Sequence, residues 1–144
     1  MQRYSYIIRL RIWHPFIDPK MITRVLGMDP TNQSEAGQPG KTPKGRSLEG
    51  VYHESYWSAD PFKRGEYSST DDLIEDALAD VLQAIEPHQT FFQNLRTEGG
   101  RIIVEVCSFS GRNYAFELSP EILSKLVTLG VSFVHDVYPY AQNW

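Results

Sequence analysis

Lys41, Lys44 and Arg46 place three cations on a stretch punctuated by Gly37, Pro39, Gly40, Pro43, Gly45 and Gly50. Glycine and proline at this density forbid a helix and force repeated turns, so residues 37–50 read as a long surface loop that can offer positive charge to an anion. Arg46 is the first choice among the three. Gly45 beside it allows close backbone approach, and a guanidinium offers carboxylate or phosphate a bidentate fork. Its competing role is an internal ion pair with Glu49 or Glu54, pinning the loop to the strand that follows. Tyr56 and Trp57 in that strand, with Trp13 near the N-terminus, are large, flat and partly polar, a type enriched at binding surfaces but more often used for core or sheet-face packing. The candidate ligand-binding set is therefore Arg46, Lys44, Lys41, Tyr56, Trp57 and Trp13. The alternative is that Leu48, Tyr52 and Trp57 tuck the loop onto the sheet.

Other chemistries find less support. Gly40-Lys41-Thr42 ends like a phosphate-binding P-loop, but the glycine required five positions earlier is Glu35, and Pro43 removes an amide the cradle would need. His14, His53, His88 and His135 lack the short pairings of zinc sites, although a ferredoxin-like strand order could bring His14 and His135 together. Cys107 sits among Val104, Val106 and Phe109, a setting for inert burial rather than for a reactive thiol. Glu54, Asp136 and Glu117 could serve acid–base catalysis, yet no pairing among them can be read from spacing, and no Gly-x-Ser-x-Gly motif is present. No catalytic residue, metal ligand or cofactor is assigned.

The elements that must position these residues follow from periodicity. Tyr4, Tyr6, Ile8, Leu10 and Ile12 alternate with Ser5, Ile7, Arg9, Arg11 and Trp13, the period-two pattern of a half-buried strand. Asp18-Pro19 caps and opens a short helix with Ile22, Val25 and Leu26 on one face, closed by Gly27. Pro30 to Ser34 suggests a short edge strand, and Val51 to Ser58 the strand that the loop feeds. Ser69 with Asp72 reads as a capping box for the main helix, marked by Ile74, Ala77, Leu78, Val81, Leu82 and Ile85. Pro87 breaks it, Phe91, Phe92 and Leu95 suggest a second helical segment, and Gly99-Gly100 turns the chain. Ile102 to Phe109 and the alternating Tyr114, Phe116 and Leu118 predict a hairpin around Gly111. Ser119-Pro120 opens a last helix ending at Gly130, before a strand from Val131 to Tyr138.

The resulting order predicts an α+β domain, a mostly antiparallel sheet with helices packed on one face. A ferredoxin-like β-α-β-β-α-β unit starts near Tyr52 and is preceded by an N-terminal β-α element. The Asp18-Pro19 to Gly27 helix and the Ser119-Pro120 to Gly130 helix echo one another.

Composition bounds the rest. The 144 residues, 41% hydrophobic and 22% charged, are enough for one domain spanning 1–144 with a core that needs no disulfide or metal. A formal charge of −4 makes nucleic acid an unexpected partner. Arg3, Arg9 and Arg11 interrupt what would be a signal peptide, and no run is long and apolar enough for a membrane span, so neither secretion nor a membrane partner is expected. A single cysteine agrees with a reducing cytoplasm.

Several short motifs resemble one known family. They are Arg11-Ile12-Trp13-His14-Pro15, Ile17-Asp18-Pro19, Leu26-Gly27, Ala36-Gly37-Gln38-Pro39, Thr42-Pro43-Lys44-Gly45-Arg46, Leu48-Glu49-Gly50, Glu54-Ser55-Tyr56-Trp57-Ser58 and Glu98-Gly99-Gly100. Together they resemble the domain of unknown function 4279 family over nearly the whole chain. The resemblance implies a bacterial origin and a single domain, and it implies no activity. Gly40 stands where the family commonly has a basic residue, so the loop here is less cationic than the resemblance alone would suggest. The reading is a cytoplasmic, non-enzymatic binding module that grips a protein or small anionic ligand through residues 37–58. The alternatives are a small hydrolase or transferase with a strand-end carboxylate or histidine, and an immunity-type or regulatory protein that blocks a partner.

Overall fold

A computed structural model describes residues 3–42 and 44–139, with the side chains of Ser47 and Leu48 left aside. The expectations placed on Pro43 and on the Leu48 side chain therefore lie outside the described residues. Strand β1 (Ser5–His14) obeys its alternation: Tyr4, Tyr6, Ile8, Leu10, Ile12 and His14 are buried, whereas Arg9 on the opposite face is exposed. Helix α1 (Pro19–Leu26) begins with Asp18 Oδ1 accepting from the Lys20 N–H at 3.0 Å and ends at Gly27, whose φ of 68° is left-handed. Strand β2 (Asn32–Ser34) follows, then β3 (Pro39–Lys41), β4 (Ser47–Val51) and β5 (Ser55–Ala59).

Residues 37–51 are not an irregular loop. β3 and β4 form a separate two-stranded antiparallel hairpin, closed by a turn in which Thr42 O accepts from Gly45 N at 2.8 Å and Thr42 N donates to Arg46 O at 2.8 Å. Gly45 supplies the left-handed φ of 81° that this turn requires. The expected strand from Val51 to Ser58 is thus two: Val51 ends the hairpin, and β5 starts afresh at Ser55.

After the two-residue strand β6 (Tyr67–Ser68), the main helix α2 spans Ile74–Ile85. The expected capping box is absent because both of its members are drawn elsewhere. Ser69 Oγ accepts from the Tyr4 N–H at 2.9 Å, and Asp72 accepts from Arg64 at 2.7 Å. The N-terminus of α2 is met instead by Tyr4, whose Oη accepts from Ile74 N at 3.3 Å. Pro87 ends the helix in a 3-10 turn (Glu86–His88), after which α3 (Gln89–Thr97) buries Phe92 and Leu95. Gly100 has no room for a side chain: a Cβ there would stand 2.6 Å from Leu95 O and 3.1 Å from the His14 ring.

Strand β7 (Arg101–Phe109), helix α4 (Pro120–Leu129) and strand β8 (Ser132–Tyr138) complete the fold. The main sheet runs β2-β5-β1-β7-β8, with β6 also pairing β1, and its last pair, β7 with β8, is parallel. The sheet is therefore mixed, and the expected hairpin after β7 is not formed. The place beside β7 is taken by β8, reached through α4, the helical crossover that a parallel pair demands. Residues 113–118 keep their alternation without joining the sheet. Tyr114, Phe116 and Leu118 are half-buried: Tyr114 stacks on Tyr4 with centroids 4.4 Å apart, and Phe116 meets Phe133 edge-on at 6.1 Å. At its end the backbone of this segment is met by a side chain of α2, where Glu117 N donates to Glu75 Oε2 at 3.0 Å. The structure shows an α+β fold with a mixed sheet, and it does not reproduce the ferredoxin-like order.

The core lies on one side of this sheet, where α1, α2, α3 and α4 bury Ile22, Leu78, Leu82, Phe92 and Leu126 against the inward residues of β1, β5 and β7. Register then decides the other face. Arg9 stands opposite Glu105, Arg11 opposite both Ser58 and Ile103, and Trp13 opposite both Tyr56 and Arg101, so these side chains share the side away from the core helices.

Candidate functional site

Arg11 is the centre of that face. Its Nε donates to Tyr56 Oη at 2.8 Å, and its Nη1 pairs with Glu105 Oε2 at 3.2 Å. The guanidinium carbon lies 4.7 Å from the centroid of Trp13 and 5.4 Å from that of Tyr56, distances at which the cation is attracted by both rings. Partial burial works against the charge, but the Tyr56 hydroxyl and the Glu105 carboxylate outweigh it and raise the Arg11 pKa. The cation is permanently charged and held in one orientation. Arg101 lies over the same Trp13 ring at 5.4 Å.

Beside these residues opens a cavity of about 560 Å³ bounded by Arg9, Arg11, Asn32, Tyr56, Ser58 and Asp60. Its size falls in the range of small-molecule sites. Arg9 makes no ion pair among the described residues and faces Glu105 across the strand pair. Asp60 accepts from Gly65 N at 2.7 Å through Oδ2, while its buried Oδ1 has no partner among the described residues.

Of the six residues expected to bind a ligand, Trp13 and Tyr56 belong to this face. Trp57 lies on the opposite side of β5, with no exposed surface, and its Nε1 donates to Thr23 Oγ1 at 2.9 Å. Lys41, Lys44 and Arg46 are exposed at the far end of the β3–β4 hairpin, and none of them is in an ion pair among the described residues. Arg46 in particular is not bridged to Glu49 or Glu54. The hairpin is rooted close to Tyr56: Ala36 N donates to Ser55 Oγ at 3.0 Å, and Gly37 N to Tyr52 O at 2.9 Å. Arg9, Arg11 and Arg101 were not among the expected ligand residues. The signal was present in the strand alternation, which sets Arg9, Arg11 and Trp13 on the face that Ile8, Leu10 and Ile12 do not use.

The remaining candidates fall apart spatially. His14 is fully buried, with Nδ1 accepting from the Phe16 and Ile17 amides at 3.1 and 2.9 Å and Nε2 donating to Glu98 at 2.9 Å. Its ring is spent on closing the turn after β1. His135 pairs with Val106, which pairs with Ile8, so it sits well along the sheet from His14 and beyond β7. Glu105, Cys107 and Asp136 place ligand atoms within 4.8 Å of one another, a grouping that could hold a metal ion. Their atoms are already engaged, however. Glu105 meets Arg11 and Cys107, Asp136 accepts from Tyr138 Oη at 3.1 Å, and burial pushes the thiol pKa up to about 11. Glu117 is exposed, with its amide donating to Glu75, and Glu54 and His53 are exposed outside the cavity.

No curated protein and no solved structure matches this chain. One family does: the profile described as Domain of unknown function (DUF4279) matches residues 4–140, from the start of the first strand to just beyond the last. A match over nearly the whole length establishes membership, and the chain belongs to the family of Domain of unknown function (DUF4279).

Proposed function

We propose that this protein is a non-enzymatic binding module of the bacterial cytoplasm, whose sheet face away from the core helices and neighbouring cationic hairpin grip a protein or small ligand through its negative charge. The observation that carries this reading is the fixing of Arg11 by Tyr56, Trp13 and Glu105 beside a cavity of about 560 Å³. A guanidinium restrained in this way loses little freedom on engaging a carboxylate or phosphate, which is how preorganisation favours affinity. Arg9 adds a second cation to a cavity wall that also holds Asp60, and Lys41, Lys44 and Arg46 are exposed on the hairpin, against a formal net charge of −4. Local charge of this kind steers an anionic partner despite the overall sign. The hydrolase or transferase reading has weaker support, since Glu54, His53 and Asp136 all lie outside the cavity lining.

The test is calorimetric titration with citrate and with inorganic phosphate at low salt, on the wild type and on Arg11→Lys and Arg46→Lys. Loss of binding in Arg11→Lys with a retained thermal midpoint supports the sheet face as the site. Equal binding by all three proteins, or none by the wild type, would count against it.

A further inference from the structure

A second cavity lies on the other side of the sheet and shares no residue with the first. It measures about 520 Å³ and is bounded by residues 110–116, His135, Val137 and Pro139. We propose that it is a site for an aromatic carboxylate, with His135 Nδ1–H and the Arg112 guanidinium as the two donors to the carboxylate and Tyr114 and Phe116 as walls for the ring.

His135 Nε2 lies 2.7 Å from Ser108 Oγ and 3.0 Å from Tyr114 Oη, and the two hydroxyls are hydrogen-bonded to each other. Burial lowers the His135 pKa, which favours the neutral ring. In a closed triangle of two hydroxyls and one imidazole nitrogen, both hydroxyl protons are used only if the nitrogen accepts. Were Nε2 the donor, one hydroxyl proton would lack an acceptor within the triangle, and with Ser108 fully buried that proton would be the one on half-buried Tyr114. The arrangement that keeps both hydroxyl protons inside the triangle has the ring proton on Nδ1, and the proposed site uses that tautomer. Nδ1 has no hydrogen-bond partner among the described residues, and the ring belongs to the cavity wall.

Three further features favour an aromatic acid. Phe116 and Tyr114 meet the imidazole edge-on at 5.0 and 6.3 Å, forming a corner of flat surfaces. Arg112, also in the wall, is in no ion pair among the described residues. The wall is anchored, since Ser110 Oγ donates to Arg112 O at 2.7 Å and accepts from Arg112 N at 3.2 Å, while Tyr114 stacks on Tyr4. Apolar walls with two donor residues in the same lining fit a planar ring bearing one negative group. This site does not depend on the sheet-face reading.

The test uses 2-naphthoate as probe and 2-naphthol as its uncharged control, with long-range nitrogen–proton correlation spectra of the histidines. The free protein should show His135 as the Nδ1–H tautomer, and millimolar 2-naphthoate should shift its Nδ1 resonance with little effect from 2-naphthol. Arg112→Gln should weaken 2-naphthoate binding about tenfold while leaving the His135 tautomer unchanged. Arg11→Lys should leave 2-naphthoate binding intact, which separates the two sites. An Nε2–H tautomer at His135, equal response to acid and alcohol, or no shift at millimolar 2-naphthoate would overturn the proposal.

Discussion

Trp57 Nε1 donates to Thr23 Oγ1 at 2.9 Å, tying the middle of β5 to α1 across the core. The indole has no exposed surface, so the donor has no water to turn to if its partner is removed. Thr23→Val keeps the shape and deletes the acceptor, and should cost about 1–3 kcal/mol in urea denaturation. Trp57→Ala should cost about 3–5 kcal/mol. A Thr23→Val variant as stable as wild type would show that the indole N–H contributes nothing through this bond.

The sheet face and the hairpin should separate in stability as well as in binding. Tyr56→Phe removes the oxygen that accepts from Arg11 Nε and should lower stability by about 0.5–1.5 kcal/mol. Replacing Lys41, Lys44 and Arg46 together by Ser touches no ion pair among the described residues and should change stability by no more than about 1 kcal/mol. Chemical denaturation of the two variants side by side decides this, and a large loss in the triple variant would return the hairpin cations to a structural role.

Acid should weaken the fold through His135. Its folded pKa is lowered by burial, so the unfolded chain takes up a proton first as pH falls below about 6.5, and stability drops through that window. His135→Gln, which cannot titrate, should show a flatter dependence of urea midpoint between roughly pH 5 and 7. Parallel slopes for the two proteins would rule out His135 as a source of acid sensitivity.

Alkali should act through Cys107. The folded thiol titrates near 11 whereas an exposed one titrates near 8.5, so the unfolded chain releases its proton first and stability falls as pH rises from about 8.5 toward 11. A disulfide-exchange reagent at neutral pH should label Cys107 only after denaturant is added. Rapid labelling of the native protein would contradict the burial of the thiol.

Gly100→Ala should be among the most disruptive small changes in the chain. Its Cβ would collide with the Leu95 carbonyl, which is backbone and cannot swing away, and would press on the His14 ring. A shift in thermal midpoint of several degrees is expected, about what 1 kcal/mol produces in a domain of this size. Gly27→Ala meets no neighbour within 4 Å and tests the left-handed φ alone.

What could be read beforehand was whatever is local. The caps at Asp18 and Ser119 and the left-handed Gly27 and Gly130 all stand where the sequence placed them, because each depends on residues within a turn or two. The turn chemistry of residues 37–50 was legible as turning chain, but the pairing of Pro39 with Val51 was not. The same limit explains the hairpin after β7: alternation at Tyr114, Phe116 and Leu118 reports which side chains dip inward, and it does not say whether the backbone bonds to a strand. Arg11 escaped as a site residue because its partners, Tyr56 and Glu105, are 45 and 94 positions away. Ser108 and Tyr114 likewise gain meaning only when β8 brings His135 between them.

The pairing of β1 with β7 also sets a condition on how the chain can fold. Ser5 meets Phe109 and Trp13 meets Arg101, so the two central strands are separated by roughly ninety residues of chain. During synthesis, β1 leaves the ribosome with its row of tyrosines, isoleucines and leucine and waits for β7 until roughly ninety further residues have been made. Until then that strand is open to premature association on its β7 side, and a chaperone that captures extended apolar chain would find a target there. Closing so large a loop before the core rewards it also slows the search, so refolding from denaturant should lag behind that of helical bundles of similar length.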